Sequence, residues 1–179
     1  MIIEAVRFED RRGWFAEGFS QREFAANVVD TVFVQDNEVW SRGGVVRGLH
    51  YQLSPHAQAK LVRAVCGRIL DVAVDVRWGS PTFGRHVAVE LSAENGRQLF
   101  VPRGFAHGYS VLGEEALVAY KCDNYYAPGS EAGVRFDDPE LGIEWGVPAE
   151  RAVISEKDGA LPLLKDAVLF DCGDNLYGR

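Results

Sequence analysis

Several features are missing from this 179-residue chain, and each absence removes a class of protein. No apolar run approaches the roughly 18 residues that a membrane-spanning helix needs. The opening residues, MIIEAVRFEDRRG, lack a basic segment followed by an apolar one, so they do not read as a signal peptide. No CxxC pair occurs, and the three cysteines, Cys66, Cys122 and Cys172, stand far apart. An odd, scattered set argues against both a zinc site and a disulfide framework, and it fits reduced thiols in the cytoplasm. Basic residues are in the minority: 19 Lys and Arg against 26 Asp and Glu give a formal net charge of −7. Duplex binding needs a basic face that neutralises phosphates, so nucleic acid is not the expected partner. Internal repeats and low-complexity tracts are also absent, and helical periodicity is scarce.

What is present is a composition of 47% hydrophobic and 25% charged residues, which fits one globular domain spanning 1–179. Short runs rich in Val, Leu, Tyr and Phe dominate the first 125 or so residues: TVFVQ (31–35), GVVRGLHYQ (44–52), KLVRAVC (60–66), RILDVAVDV (68–76), RHVAVEL (85–91), RQLFVP (97–102), HGYSVLG (107–113) and ALVAYKC (116–122). Gly, Pro, Ser or Asn bounds each, which is the pattern of an all-β sandwich or barrel. A few short helices complete the expectation. SQREFAANV (20–28) has Ser20 as a cap with Glu23 three residues on, and 147–158 has room for a turn or two. Segment 127–150 reads as loop. In RILDVAVDV, Leu70, Val72, Val74 and Val76 share one face, and Ile69, Asp71, Ala73 and Asp75 the other. One face is core; the wetter one lines either a polar lumen or solvent.

Two spaced motifs narrow the architecture. Gly96-RQLFV-Pro102-Arg-Gly104-FA-His107 reads G-x5-P-x-G-x2-H, which resembles the second motif of the cupin superfamily of small β-barrels. Pro102 and Gly104 supply a turn that aims His107 inward. The first cupin motif is G-x5-H-x-H, then a glutamate, then x6-G. Here Gly44-VVRGL-His50-Tyr51-Gln52 and Lys60-LVRAVC-Gly67 keep one histidine and both glycines. Gln52 replaces the second histidine, and Lys60 replaces the glutamate. A first-row metal wants neutral imidazoles and a carboxylate; a lysine ammonium repels the cation and offers no lone pair. The expectation is a metal-free, cupin-like jelly-roll barrel.

Such a site suits proton transfer at a carbon next to a carbonyl. That chemistry needs a base, a cation or donor for the enolate oxygen, and an acid to return the proton. His50 is the candidate base, Lys60 the candidate oxyanion partner and Tyr120 the candidate acid. Asp158 is a candidate to fix the His50 tautomer, although spacing alone does not bring the two together. The pair Asp137-Asp138 resembles a glycosidase carboxylate pair only superficially, since adjacent residues in DDPELG belong to a turn.

At this point nearly the whole chain resembles the dTDP-4-dehydrorhamnose 3,5-epimerases of the cupin superfamily. The shared blocks are DRRGWFAE (10–17), FVQDN (33–37), RGLHYQ (47–52), AKLVRAVCG (59–67), DVAVDVR (71–77), SPTFG (80–84), LSAENGRQLFVPRGFAHGYSVL (91–112), YKCDNYYAPGSE (120–131) and SEKD (155–158), in order. The resemblance implies His50 as base, Asp158 as its partner, Tyr120 as general acid and Lys60 near the C4 carbonyl. It implies that Arg47 and His107 hold the sugar and pyrophosphate. Arg12, Glu17, Gln35, Asp36 and Asn37 match nucleotide-side contacts, given partly by a neighbouring subunit, and Tyr126, Glu131 and Lys157 match further lining residues. The implied reaction is epimerisation of dTDP-4-keto-6-deoxy-glucose at C3 and C5, in a cytoplasmic homodimer that uses no cofactor.

Two local departures stand out. After QDN the family continues with a polar pair, whereas this chain has Glu38-Val39-Trp40. Arg47 and His50 are three positions apart, so a regular strand sends them to opposite faces. Service to one pocket therefore predicts an irregularity at Gly48. The rival readings are a mono-epimerase acting at C3 or C5 alone, a non-catalytic sugar-nucleotide-binding cupin, and a metal-dependent cupin.

Overall fold

The computed structural model describes residues 1–178; Arg179, the last residue of the expected domain, lies outside the described residues. In chain order the elements are β1 (Ile2–Glu4), β2 (Phe8–Asp10), β3 (Gly13–Phe15), α1 (Gln21–Asn27), β4 (Gln35–Arg42), β5 (Val46–Gln52), β6 (Lys60–Asp75), β7 (Arg77–Trp78), β8 (His86–Ser92), β9 (Arg97–Val101), β10 (Phe105–Cys122), β11 (Glu131–Gly133), α2 (Glu156–Gly159) and β12 (Phe170–Asp171). Short 3-10 turns occupy Pro128–Ser130, Ala149–Arg151 and Leu164–Asp166. No described helix is long and apolar enough to cross a membrane.

Two long strands organise everything. The runs 60–66 and 68–76 join into β6, and 107–113 and 116–122 join into β10. They continue because Gly67, at φ 70°, turns without breaking the ladder, and a Cβ there would collide with the Glu115 carbonyl oxygen. The first half of β6 pairs with β9 and with the end of β10, and β4 and β1 extend that layer. The second half pairs with β8 and the start of β10, and β5 and β11 extend the other layer. The result is the all-β, cupin-like sandwich expected, its layers sharing two strands.

Both faces of RILDVAVDV are buried. Val72, Val74 and Val76 pack on Tyr51, Phe136, Leu141, Trp145, Leu164 and Phe170, so the C-terminal third covers this layer from outside. Ile69 and Ala73 face the lumen with Val62, Leu91, Leu99, Val111 and Val118, and Asp71 and Asp75 on that same side are fully buried. The wetter face is thus the inside of the barrel.

The helix lies where its cap predicts: Ser20 Oγ accepts the Glu23 N–H at 3.5 Å. Its buried Phe24 meets Phe33 and Phe100 edge-on at 5.1 and 5.2 Å. Burying such a ring contributes roughly 2–3 kcal/mol. Residues 31–34 are not strand as expected. Phe33 packs with α1 on the outer face of the first layer, and pairing starts at Gln35. Segment 127–150, expected as loop, contributes the short edge strand β11.

Candidate active site

The lumen is apolar at depth and polar at one mouth, where β4, β5, β6, β10 and β11 converge. A cavity of about 260 Å³ there is lined by Gln35, Asn37, His50, Gln52, Lys60, Tyr120, Cys122, Tyr126 and Glu131, with Tyr51 and Gln58. Alternation along β6 and β10 brings Lys60 and Tyr120 to this face: their neighbours Val62 and Val118 sit in the lumen cluster.

His50 reaches the same cavity through a local fault. Between the pairs His107–His50 and Tyr109–Arg47, β10 takes two steps while β5 takes three. The extra residue is the irregularity expected at Gly48. Gly48 has φ 116° and lies against Gly108; a Cβ on it would come within 2.6 Å of the Gly108 Cα. Arg47 then turns its Nε to Ser41 Oγ at 3.1 Å, and that oxygen lies 3.3 Å from the Tyr109 hydroxyl.

Asp158 arrives from α2, whose cap Ser155 accepts the Asp158 N–H at 3.1 Å. Its Oδ1 accepts from His50 Nε2 at 3.0 Å, and its Oδ2 accepts the Gly48 N–H at 3.2 Å. Burial pushes this carboxyl up, but the bonds from His50, Gly48 and Ser155 outweigh it and hold Asp158 below the usual carboxylate range. With an ionised Asp158 as acceptor, Nε2 carries the proton, and the lone pair is on Nδ1.

Around this dyad each polar group has a distinct state. Burial pushes the Tyr120 phenol up to about 12, so it stays protonated as an acid should. Burial lowers Lys60, while Cys122, Asp71 and Glu131 pull it back up. Its Nζ stands 5.9 Å from the Tyr120 ring centre. Glu131 Oε2 accepts from both Tyr126 Oη at 2.9 Å and Lys157 Nζ at 2.6 Å, which ties the rim together. Gln35 Oε1 accepts the Tyr126 N–H at 3.0 Å, and its Nε2 donates to Asn37 at 3.1 Å.

Among the described residues, five expected ones neither line this cavity nor have a side-chain bond to one that does, and Arg47, turned to Ser41, is the first. Asp36 sits between Gln35 and Asn37, so alternation sends it to the outer face, where Lys121 holds it at 3.0 Å. Arg12 folds back on Asp10 in the exposed β2–β3 hairpin, and Glu17 lines a separate hollow beside α1. His107 is buried, does not line the cavity, and gives Nε2–H to Asp71 Oδ1 at 2.7 Å. Burial keeps its imidazole neutral despite Asp71. Asp71 itself escaped notice as a site residue; its one signal was a charged residue on the lumen face of a Val-rich strand. Among the described residues, no three His, Cys, Asp or Glu side chains gather as a metal-ligand set.

A shared-strand barrel with a histidine–carboxylate dyad, a phenol and an ammonium around one polar mouth belongs to the cupin-type barrels equipped for acid–base chemistry. Comparison with known proteins agrees. The sequence profile of dTDP-4-dehydrorhamnose 3,5-epimerase matches residues 1–166. A dTDP-4-dehydrorhamnose 3,5-epimerase from Shigella flexneri is 52% identical over 159 residues, covering 88% of this chain and 87% of its own. The crystal structure of a dTDP-6-deoxy-D-glucose-3,5-epimerase from Legionella pneumophila, in complex with dTDP-4-keto-L-rhamnose, superposes with a TM-score of 0.91 at 46% identity, covering 95% of this chain and 92% of that one. A 3'-monoepimerase from Streptomyces bikiniensis, in complex with dTDP-quinovose, gives 0.85 at 36% identity, covering 92% and 83%. The chain belongs to the dTDP-4-dehydrorhamnose 3,5-epimerase family.

Proposed function

We propose that this protein epimerises dTDP-4-keto-6-deoxy-D-glucose at C3 and C5 to dTDP-4-keto-L-rhamnose, by proton transfer through an enolate. The observation that carries this reading is the convergence of His50, Lys60 and Tyr120 on one cavity, with Asp158 bonded to His50. The C4 ketone acidifies the protons on both neighbouring carbons. His50 removes one, and Asp158 stabilises the imidazolium that forms. Lys60 faces the C4 oxygen as charge develops there. Tyr120, held protonated, returns a proton from the other side. The same set serves C3 and C5 in turn.

Gln35 and Asn37 take the nucleotide side, Arg47 holds the sugar and pyrophosphate, and Tyr126, Glu131 and Lys157 form the rim. Arg12 and Glu17 serve the neighbouring subunit of a cytoplasmic homodimer. In support, Val6, Phe8, Trp14 and Phe15 around the hairpin that carries Arg12 are all more than half exposed, as an arm awaiting a second copy would be. Mixing Arg12→Ala with His50→Ala subunits is expected to regain activity that neither has alone; no recovery would place the Arg12 contact within one chain or remove it.

The test of the reaction follows deuterium. In D2O with dTDP-4-keto-6-deoxy-glucose, exchange is expected at both C3 and C5 by proton NMR, and neither in His50→Ala. Exchange at one carbon alone would make this a mono-epimerase, the reading favoured by its likeness to the Streptomyces bikiniensis enzyme. No exchange at either carbon would leave a binding protein and overturn the proposal.

A further inference from the structure

The lumen holds a second carboxylate that the proposed mechanism does not use. Asp71 is fully buried on β6. His107 occupies its Oδ1, and Oδ2 has no hydrogen-bond partner, the one such buried side-chain atom among the described residues. A buried carboxylate with half its capacity unused is costly unless its charge acts on something nearby. Satisfying His107 alone would need only a neutral acceptor.

A cation in complementary condition is close by. Lys60 is half-buried at the lumen mouth, and no hydrogen bond or ion pair of its side chain is found among the described residues. The two share the lumen despite an odd separation on β6. The register shift between Leu117 and Val118 leaves Val65 unpaired between Ala64 and Cys66, which switches the alternation. Lys60 therefore falls in line with Val62 and Ala64, and Asp71 with Ile69 and Ala73, all within one lumen cluster.

We infer that Asp71 is a positioning residue of the site, the fixed counter-charge that keeps Lys60 an ammonium while negative charge builds on the substrate oxygen. His107 anchors it. This rests on the reading of Lys60 as the partner of that oxygen. The other groups facing Lys60 do not compete for the role. Cys122, directly opposite on β10, is a thiol that burial pushes up. Tyr120 is a neutral phenol and His107 a neutral imidazole. Glu131 from β11 is committed to Lys157 and Tyr126. His50 from β5 becomes a second cation during turnover, which makes a resident negative charge more necessary. Each histidine then has its own carboxylate, and Asp71 answers for the lysine through the low-dielectric lumen.

The experiment reads Lys60 directly. Its acylation by acetic anhydride is followed against pH by mass spectrometry, in the wild type and in Asp71→Asn, alongside the pH profile of kcat/KM for C3 and C5 exchange. In Asp71→Asn the Lys60 midpoint is expected to fall by about one unit, so that labelling at fixed neutral pH rises about tenfold. The alkaline limb of kcat/KM is expected to move down with it, and Asp71→Glu to restore both. A folded Asp71→Asn with the wild-type midpoint and limb would reduce Asp71 to a structural residue. Coupling between two sites is reciprocal, so NMR of carboxyl-labelled aspartate in Lys60→Met tests the pair even where Asp71→Asn does not fold. The Asp71 titration is expected to move up; an unmoved one overturns the inference. A wild type that exchanges neither carbon would instead refute the reaction itself, whatever the labelling shows.

Discussion

The barrel contains two histidine–aspartate pairs whose histidines face each other across adjacent strands. His50 and His107 are register partners on β5 and β10, yet their settings differ. The His50–Asp158 bond is 3.0 Å, and His50 is 29% exposed at a cavity. The His107–Asp71 bond is 2.7 Å, and His107 is 7% exposed. One pair is built from a strand and a capped turn of helix, the other from two central strands of the same sheet. On the proposed mechanism, the same two side chains therefore make a reagent at a cavity and a fixture away from it.

Substitution should separate the two. His50→Ala is expected to slow C3 and C5 exchange by about a thousandfold while changing the stability by less than about 1 kcal/mol, as judged by exchange rate and urea midpoint together. His107→Ala should do the opposite in the urea titration: it strands Asp71, at a cost of about 3–5 kcal/mol. Were His107→Ala as stable as the wild type, the division between reagent and fixture would collapse. Asp158→Asn keeps the shape and removes the charge behind His50. Exchange should fall about a hundredfold, with its residual rate no longer dependent on Asp158 ionisation at acid pH.

A third buried carboxylate sharpens the contrast because it serves no histidine. Burial would raise Asp75, but Arg77, Ser80 and Thr82 bind it and take it from an ordinary 3.8 to about 2. The folded value is the lower one, so this stabilisation is present above pH 4 or so and is lost as the pH falls towards 2. Asp75→Asn should cost about 2 kcal/mol at neutral pH and flatten the acid limb of the stability curve. Catalytic exchange per folded molecule should not change.

Much of this was legible in the residues. The Ser20 cap and most strand cores follow from local rules, and the fault at Gly48 follows from parity once the resemblance assigns Arg47 and His50 to one pocket. The place of Lys60 at the polar mouth agrees with its slot in the barrel motif. Other features needed three dimensions. Asp158 and His50 are 108 residues apart, and only family resemblance joined them. β4 went partly unread because QDNEVWSR alternates polar residues at an edge, and residues 31–34 mimicked a strand because their apolar side chains pack on α1. Asp36 lies away from the cavity, paired with Lys121, a placement unread because a block of matching residues hides the alternation within it. Asp71 was passed over because its importance lies in what it does not bond.

The distance along the chain between His50 and Asp158 has a consequence for how the protein is born. Residue 50 leaves the ribosome 108 residues ahead of the carboxylate that orients it. The segment that brings Asp158 also brings Val153, which bridges to Val45, and Phe170, which packs on Tyr51. On the proposed mechanism, a nascent chain therefore lacks the carboxylate that orients its base until its final third has packed on the barrel. A fragment that stops short of residue 158 is then expected to show no more than the residual exchange of Asp158→Asn.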